Sequence, residues 1–297
     1  MKTVSLLMAL AMSLCGSMSA QESAAQTPHT YSFQDVNYPG DTFTQLLGIN
    51  NSSVIAGYHN FNQNSGFTLV LPNTFTTENY PNSMMTQVIG INNKSETAGF
   101  YVDQAGVTHG FTHLRNAFMR IDYPHSKFNQ LLGQNDIGQA AGYYSMSIGN
   151  TTPDFPYIYD ENGGVFEVLT IPGASGGAQA TGINNSQQVC GFYIDEKGVN
   201  HGFYLNQGNF RTLDYPGSTF TQALGLNNAN EVVGDYVDAG GATHGFIYNV
   251  TARTWQSVDD PNGIGTTVVN GTNDQHFLVG FWGTAPTNTG FVATPLQ

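Results

Sequence analysis

A phrase of about 43 residues recurs six times along the chain, and this repeat constrains the fold more than any other feature. Its clearest copy runs from Arg211 to Phe246 and reads RTLDYPGSTFTQALGLNNANEVVGDYVDAGGATHGF. A Gly-x-Asn unit marks every copy, and successive units lie 42, 43, 49, 43 and 46 residues apart. A regular period of this length is typical of an architecture in which each copy is one supersecondary unit. The six units begin at Gly48, Gly90, Gly133, Gly182, Gly225 and Gly271.

Each period contains four short runs of β-branched and aromatic residues, and Asn, Gly, Pro or Asp separates one run from the next. This pattern is typical of short strands joined by tight turns. Four strands in about 43 residues is the size of one propeller blade, so the sequence predicts an all-β, six-bladed β-propeller with four-stranded blades. An insertion, Ser145–Phe155, accounts for the longest period. The expected blades are residues 40–81, 82–124, 125–172, 173–216, 217–261, and 262–297 together with 31–39.

The two ends of the repeat array complement each other. The segment Tyr31–Pro39 matches only the fourth run of the repeat, and Thr289–Pro295 matches only the third. Pairing of these two segments would complete the sixth blade and close the ring, whereas an open solenoid would need capping repeats. We therefore expect residues 31–297 to form a single domain, closed by its N-terminal strand and preceded by a disordered lead at 21–30.

The first twenty residues, Met1–Ala20, have the features of a secretory signal peptide. Lys2 supplies the positive start, and an apolar run over Val4–Leu14 precedes small residues. That run is too short to cross a bilayer, so the sequence predicts a secreted or periplasmic protein without a membrane span. Three cleavage positions stay open, after Ser19, Ala20 or Ala25.

The thiols and charges of the mature chain limit its chemistry. Cys15 would suit a lipid anchor, but Leu14 stands where a small residue is expected. Loss of the leader leaves Cys190 as the only thiol, so we expect no internal disulfide and an inert, buried cysteine. It also lowers the basic residues from 8 to 7 against 21 acidic ones, a net charge of −14. Such a surface repels nucleic acid, and we expect a monomer whose partner is a glycan or an extracellular protein.

Histidines and aspartates recur at fixed positions of the repeat. His109, His201 and His244 precede Gly-Phe, and Asp122 and Asp214 precede Tyr-Pro. One reading is metal ligation or acid–base work; the other is a structural His–Asp or His–backbone bond within each blade. A zinc site needs three or four ligands at one point, which one histidine per blade does not supply. We therefore expect the structural reading, with no metal, no cofactor and no catalytic residue.

Other repeated residues also have turn or packing explanations. The glycine of Val-x-Gly-Tyr-Tyr is expected to permit close approach of neighbouring sheets. The asparagine of Gly-x-Asn is expected to bond local backbone in a turn. Asp-x-x-Gly units are typical of hairpin turns, because a calcium loop needs several carboxylates close in sequence. These units begin at Asp103, Asp195 and Asp238.

A glutamine begins the first strand of five blades, and Val268 takes its place in the sixth. The first strand of a propeller blade is innermost, so the glutamines are expected to ring one mouth of the channel. The Tyr-Pro links reach the same face, where aromatic rings beside amides would suit a neutral polar ligand. Repeated turn chemistry is the alternative explanation. The candidate binding residues are Gln45, Gln87, Gln130, Gln179, Gln222, Tyr123 and Tyr215, with Gln87, Gln130 and Gln222 expected to touch the ligand.

The Gly-Ile-Asn, Val-x-Gly-Tyr-Tyr and His-Gly-Phe units resemble the bacterial extracellular repeats named for His-Ala-Phe, the HAF repeats, with Gly in place of Ala. The resemblance covers about residues 31–297 and implies secretion and a repeat fold. It implies no activity, substrate or catalytic residue. Two periods depart from the pattern. Pro156-Tyr157 is read as the replacement for His-Gly in the third, and Thr289 and Asp260 replace His and Tyr in the sixth.

Two classes of function fit this sequence. The first is a secreted, non-enzymatic binding or adhesion module for a glycan or a protein. The alternative is a secreted propeller enzyme acting on glycans, as a hydrolase, lyase or lactonase. The chain contains no nucleophile elbow, metal-ligand cluster or phosphate-binding glycine loop, which favours the binding module. Convergent acids at the channel mouth would favour the enzyme.

Overall fold

The protein is a closed ring of six antiparallel sheets, each with four strands, as the repeat predicts. The computed structural model describes residues 28–147 and 153–296, so the leader at 1–20 and the centre of the insertion lie outside the described residues. These ranges contain twenty-four strands. Within the same ranges, no helix has the length and hydrophobicity of a membrane-spanning segment.

The strands follow one another from the axis outward in every blade. The N-terminal strand is β1 (Thr30–Val36). Blade 1 contains β2 (Thr44–Ile49), β3 (Val54–His59), β4 (Ser65–Val70) and β5 (Thr74–Thr77). Blade 2 contains β6 (Met85–Ile91), β7 (Thr97–Val102), β8 (Thr108–Leu114) and β9 (Ala117–Ile121). Blade 3 contains β10 (Phe128–Gln134), β11 (Gln139–Ser145), β12 (Phe155–Asp160) and β13 (Val165–Val168).

The remaining blades repeat this order. Blade 4 contains β14 (Ala178–Ile183), β15 (Val189–Ile194), β16 (Asn200–Asn206) and β17 (Asn209–Leu213). Blade 5 contains β18 (Phe220–Leu226), β19 (Glu231–Val237), β20 (Thr243–Asn249) and β21 (Thr254–Val258). Blade 6 contains β22 (Thr267–Thr272), β23 (Leu278–Trp282) and β24 (Thr289–Leu296), with β1 as its outer strand.

Ring closure follows the complementarity of the chain ends. Strand β1 pairs antiparallel with β24, and the register runs from Thr30 opposite Leu296 to Val36 opposite Gly290. Val36 belongs to a buried cluster of blade 1, while Phe33 packs against the cluster that contains Phe291. Residues 21–27 of the predicted disordered lead lie outside the described residues. At its end, the backbone N–H of His29 donates to Gln256, and Thr30 begins β1.

A fully buried aromatic ring on the third strand fills the centre of each blade. It is the Phe of Gly-Phe in five blades. In blade 3 the register pairs Tyr157 with Gly142, just as Phe203 pairs with Gly191 in blade 4. Phe155 therefore takes the histidine position and Pro156 the glycine position, so the sequence alignment of Pro156-Tyr157 with His-Gly was wrong by one residue. The six rings are Phe67, Phe111, Tyr157, Phe203, Phe246 and Phe291.

Candidate functional site: the axial channel

The innermost strand of every blade contains one β-bulge, and this bulge builds the channel wall. In blade 1 the pairing with β3 skips a residue between Leu46 and Gly48. Gln45 and Leu47, two residues apart on one face of β2, both line the axial cavity. Beyond the bulge the strand continues into Gly-x-Asn at the opposite end of the channel. The bulged residues are Leu47, Ile89, Leu132, Thr181, Leu224 and Asn270.

The glycines of Gly-x-Asn bring neighbouring blades into contact around the axis. A Cβ added to Gly133 would lie 2.9 Å from the Cα of Gly182, and one added to Gly271 would lie 3.3 Å from the Cα of Gly48. The expectation for the other glycine, in Val-x-Gly-Tyr-Tyr, was wrong. A Cβ on Gly57 would instead collide inside its own blade, 2.3 Å from the carbonyl oxygen of Gln45.

The asparagines of Gly-x-Asn form a continuous ring of hydrogen bonds, which we call the asparagine belt. Each side-chain oxygen accepts local backbone N–H groups, as predicted; that of Asn50 accepts from Ser52 and Val54. Each Nδ2 also donates to the carbonyl oxygen of the next blade's asparagine at 3.0–3.2 Å, a contact that sequence reasoning missed. The belt therefore joins all six blades. It comprises Asn50, Asn92, Asn135, Asn184, Asn227 and Asn273.

The residue after each belt asparagine forms a second ring. Its backbone N–H donates to the side-chain Oδ1 of the equivalent residue in the next blade at 2.7–2.9 Å, again in all six blades. Two of these positions are acids, Asp136 and Asp274, in blades 3 and 6. Amides of Asn93 and Asn185 both donate to Asp136 and, although desolvation opposes them, hold its pKa below its usual range.

The opposite end of the channel opens into a cavity of about 250 Å³, which we call the glutamine mouth. Four of the five predicted glutamines line it: Gln45, Gln87, Gln130 and Gln179. Aromatic rings from second strands complete the wall, namely Tyr58, Phe100 and Phe192. The bulged residues, chiefly leucine and isoleucine, lie between this cavity and the glycines of Gly-x-Asn and so form an apolar floor.

The glutamines differ in their hydrogen bonds. The hydroxyl of Tyr58 donates to Gln45 Oε1 at 2.6 Å, and that of Tyr143 donates to Gln130 Oε1 at 2.9 Å. These acceptor contacts leave both amide NH₂ groups available. No hydrogen bond to another described residue is present at the side chain of Gln87. The mouth therefore presents amide groups that the fold does not use.

Gln179 is fixed by the insertion of blade 3. Its Nε2 donates to Asp154 Oδ2 at 2.8 Å, and the carbonyl oxygen of Asp154 accepts from the backbone of Ala178 at 3.0 Å. Burial raises the pKa of Asp154, and the hydrogen bond from Gln179, which lowers the pKa, offsets only part of this rise. The insertion thus places a carboxylate beside the mouth at one point of the ring.

A second carboxylate breaks the symmetry in blade 5. Asp235 pairs in register with Gln222, at the position where Tyr58, Phe100 and Phe192 stand in other blades. It is buried, and burial raises its pKa from 3.8 to about 7. Sequence reasoning missed this residue, although Val-Val-Gly-Asp-Tyr carries an acid where the other periods carry an aromatic residue.

The remaining predicted binding residues are not part of the cavity lining. Gln222 occupies the glutamine position of blade 5 but is not among the residues that line the cavity. Tyr123 stacks on Tyr144 with ring centroids 3.8 Å apart, and Tyr215 stacks on Tyr236 at 3.6 Å. These half-buried tyrosines give one ring face to the packing of a blade.

The repeated histidines bond to carboxylates within their own blades. In blade 2, Nδ1 of His109 lies 2.8 Å from Asp122 and its Nε2 lies 3.2 Å from Asp103 of the Asp-x-x-Gly turn. His201 and His244 lie between corresponding acids in blades 4 and 5. The three histidines therefore tie the turn between second and third strands to the end of the fourth strand, as the structural reading expects.

Known proteins share the fold but little sequence. No protein-family model and no curated protein matches the chain. TolB from Acinetobacter baumannii has a TM-score of 0.56 at 10% identity, over 72% of this chain and 54% of TolB, so the chain spans about half the length of TolB. A catalytically inactive virginiamycin B lyase from Staphylococcus aureus has a TM-score of 0.53 at 10% identity, over 90% and 100% of the two chains.

A sugar-binding protein is also similar. The fungal lectin of Aleuria aurantia, described as a six-bladed β-propeller with a novel fucose recognition mode, has a TM-score of 0.52 at 9% identity, over 84% of this chain and 92% of the lectin. Identities of 9–10% show the fold alone. The three structures include a lectin, a lyase and TolB, and one propeller fold hosts many functions.

Proposed function

We propose that the protein is a secreted, non-enzymatic binding module of the HAF type, and that the glutamine mouth binds a neutral polar ligand, most naturally one residue of a glycan. Secretion rests on the leader-like segment Met1–Ala20. The observation that carries the binding function is the axial cavity of about 250 Å³, in which amides and aromatic rings stand above an apolar floor.

The chemistry of the wall matches the chemistry of a sugar ring. Glutamine amides both donate and accept, so they can bond hydroxyl groups without requiring a charge. Aromatic side chains such as Phe100 and Phe192 offer apolar surface for the C–H groups of the ring. The cavity lies below the range of about 300–1,000 Å³ typical of drug-sized ligands, which favours a single sugar unit or a chain end.

The lectin supports the proposal only as a precedent. Its description records fucose recognition on a six-bladed propeller, so this ring size is compatible with sugar binding. The choice of ligand for this chain rests on its own cavity, because the sequence identity is 9%.

A glycan array tests the proposal. The mature chain is labelled and applied to immobilised neutral and acidic mono- and oligosaccharides, and each positive sugar is titrated by calorimetry. We expect binding to neutral sugars and its loss in the variant Gln87→Ala/Gln130→Ala. Gln222→Ala is the matched control, because the same residue type at the same repeat position is not part of the cavity lining. Absence of binding to every sugar, or equal binding by the double variant, would refute the proposed site.

One observation favours an enzyme as a second candidate. Asp154 accepts a hydrogen bond from Gln179 of the mouth, Asp235 pairs in register with Gln222, and burial raises the pKa of both acids. Perturbed acids in a cavity are typical of glycoside hydrolases, which use two carboxyl groups. Release of reducing sugar by the wild type, but not by Asp235→Asn, would replace the binding module with this alternative.

A further inference from the structure

Three metal-binding side chains meet where the ring closes, far along the chain from one another. His29 precedes β1, Glu231 begins β19 in blade 5, and His276 lies in the turn between β22 and β23 of blade 6. One ligand atom from each residue lies within 4.8 Å of the other two. These three residues, which we call the closure cluster, therefore join the N-terminal segment to the two blades beside it.

The distances within the cluster are close to those of a metal site. Nδ1 of His276 lies 2.8 Å from Glu231 Oε2, and Nε2 of His29 lies 3.5 Å from Glu231 Oε1. Ligands about 2.0–2.1 Å from a tetrahedral zinc ion are separated by roughly 3.3 Å. The imidazole rings of His29 and His276 stack with centroids 4.4 Å apart, and one nitrogen of each lies within 4.8 Å of the other and of a Glu231 oxygen.

The central carboxylate is buried and oriented. Glu231 is 2% exposed, and Nδ2 of the belt residue Asn227 donates to its Oε2 at 3.0 Å. Outer hydrogen bonds of this kind orient the ligands of metal sites. The backbone of His29 is held on both sides by Gln256, which accepts from its N–H at 3.0 Å and donates to its carbonyl oxygen at 2.6 Å. Two ligands are thus positioned before any ion binds.

A buried hydroxyl next to the cluster gives an independent indication. The hydroxyl of Tyr31 is inaccessible to solvent and has no hydrogen-bond partner among the described residues. The ring centroid of Tyr31 lies 6.2 Å from that of the His29 imidazole, so the phenol belongs to the same neighbourhood as the three side chains. An unsatisfied buried polar group calls for an explanation, and a metal-bound water molecule would supply the missing partner.

We propose that His29, Glu231 and His276 form a zinc site that locks the closure of the ring, with water or the Tyr31 hydroxyl in the fourth position. Two imidazoles and one carboxylate suit Zn²⁺ and its borderline neighbours better than Ca²⁺, which prefers six or more oxygen ligands. Binding stabilises the closed ring by linkage, because the unfolded chain does not bring the three residues together.

A second pair of the same chemistry provides a matched control. In blade 2, Nδ1 of His113 lies 3.0 Å from the buried carboxylate of Glu78, and the hydroxyl of Thr97 also donates to that carboxylate. This pair has one imidazole, and its aromatic neighbour is Phe118 rather than a second histidine. The pair therefore has the same His–Glu contact but supplies only two ligands, fewer than a zinc site needs.

Calorimetric titration tests the proposal on tag-free mature protein that has been treated with chelator. The probe is ZnCl₂, with CaCl₂ as the comparison ion. We expect one Zn²⁺ per chain, no comparable Ca²⁺ binding, and a melting temperature that rises by several degrees with zinc. His29→Ala, His276→Ala and Glu231→Gln should each weaken zinc binding at least tenfold, while His113→Ala should bind as the wild type does.

The controls separate a metal site from a structural cluster. The imidazoles of His29 and His276 are partly exposed, so their loss is expected to leave the fold intact in circular dichroism. Wild-type protein that binds no zinc, or alanine variants that keep wild-type affinity, would overturn the proposal. Equal loss in His113→Ala would also overturn it, because zinc would then bind outside the closure cluster.

Discussion

The two ends of the axial channel both carry amide side chains at a fixed position of the repeat, yet they use them differently. In the asparagine belt, every Nδ2 donates to the next blade and every Oδ1 accepts from its own turn. In the glutamine mouth, Gln45 and Gln130 only accept from neighbouring tyrosines, and Gln87 has no partner among the described residues. Recurrence alone therefore does not separate scaffold from binding surface; the hydrogen-bond partners do.

Opening the ring should have the largest effect on stability of all the changes considered. A chain that begins at Gly40 loses β1 and with it the buried contacts of Phe33 and Val36. Each large apolar side chain contributes about 1.5–3 kcal/mol, so loss of these two should lower the free energy of unfolding by about 3–6 kcal/mol. Chemical denaturation in the presence of chelator, against a chain that begins at Pro28, measures the effect without a contribution from zinc.

Loss of β1 also leaves β24 as an exposed edge, which should promote aggregation. A truncated protein that melts within a degree or two of the longer chain would show that closure does not stabilise the ring.

A single substitution in the belt should have the next largest effect. The side chain of Asn184 makes four hydrogen bonds, to Asn227 and Gln188 through Nδ2 and from Ser186 and Gln188 to Oδ1. Asn184→Ala leaves buried partners unsatisfied, so we expect a loss of about 2–4 kcal/mol in urea denaturation. Asn184→Asp keeps the acceptor oxygen but not the donor, so its loss should lie between those of the wild type and Asn184→Ala.

The buried acid of blade 5 should make stability depend on pH. Because the pKa of Asp235 is about 7 in the folded state and 3.8 for a fully hydrated aspartate, the folded protein binds this proton more tightly than the unfolded chain does. The contribution of Asp235 to the free energy of unfolding is therefore greatest at low pH, falls as pH rises from 3.8 to about 7, and is constant above pH 7. We expect Asp235→Asn to be more stable than the wild type by up to about 4 kcal/mol at pH 8 and to show no advantage at pH 4.

Thermal denaturation at a series of pH values gives this comparison directly. An unchanged difference between Asp235→Asn and the wild type from pH 4 to pH 8 would mean that the carboxyl group does not titrate in this range.

The repeated histidines should have a smaller effect, confined to stability. His109 is 5% exposed and bridges two carboxylates, so His109→Ala should lower the free energy of unfolding by about 1–2 kcal/mol. The backbone N–H of Val107, with help from His109, holds the pKa of Asp103 below its usual range. The lowered pKa of Asp103 stabilises the fold above the ordinary pKa of an aspartate, and this stabilisation is lost as pH falls below that value. His109→Ala removes part of it, so the stability of the variant should depend less on acid pH.

Ligand binding should be unaffected by His109→Ala. A variant that lost binding while keeping its melting temperature would make His109 a site residue and would contradict the structural reading.

The repeat period and the complementary ends were sufficient to predict the fold and its closure through β1 and β24. They could not predict the partners of equivalent side chains. The bonds between blades in the belt join residues 42–49 positions apart within the array and 223 across the closure, so a local turn was the only visible explanation. Tyr157 was aligned one position too early in the repeat because Pro156 occupies the position that is glycine in the other five blades.

The candidate site was predicted in part for the same reason. Position in the repeat placed Gln45, Gln87, Gln130 and Gln179 together, but it could not show that Gln222 is not part of the cavity lining. The closure cluster was not predicted at all. His29 lay in the expected disordered lead, and its partners Glu231 and His276 come from separate blades.

If the belt holds the ring and the mouth binds the ligand, stability and binding should respond to different substitutions. The most direct test is to measure sugar binding and melting temperature together for Gln87→Ala and Asn184→Ala. We expect Gln87→Ala to change the free energy of unfolding by no more than about 0.5 kcal/mol and to weaken binding at least tenfold. Asn184→Ala should melt several degrees lower and bind as the wild type does while folded. The reverse pattern, or equal effects on both quantities, would contradict this division of roles.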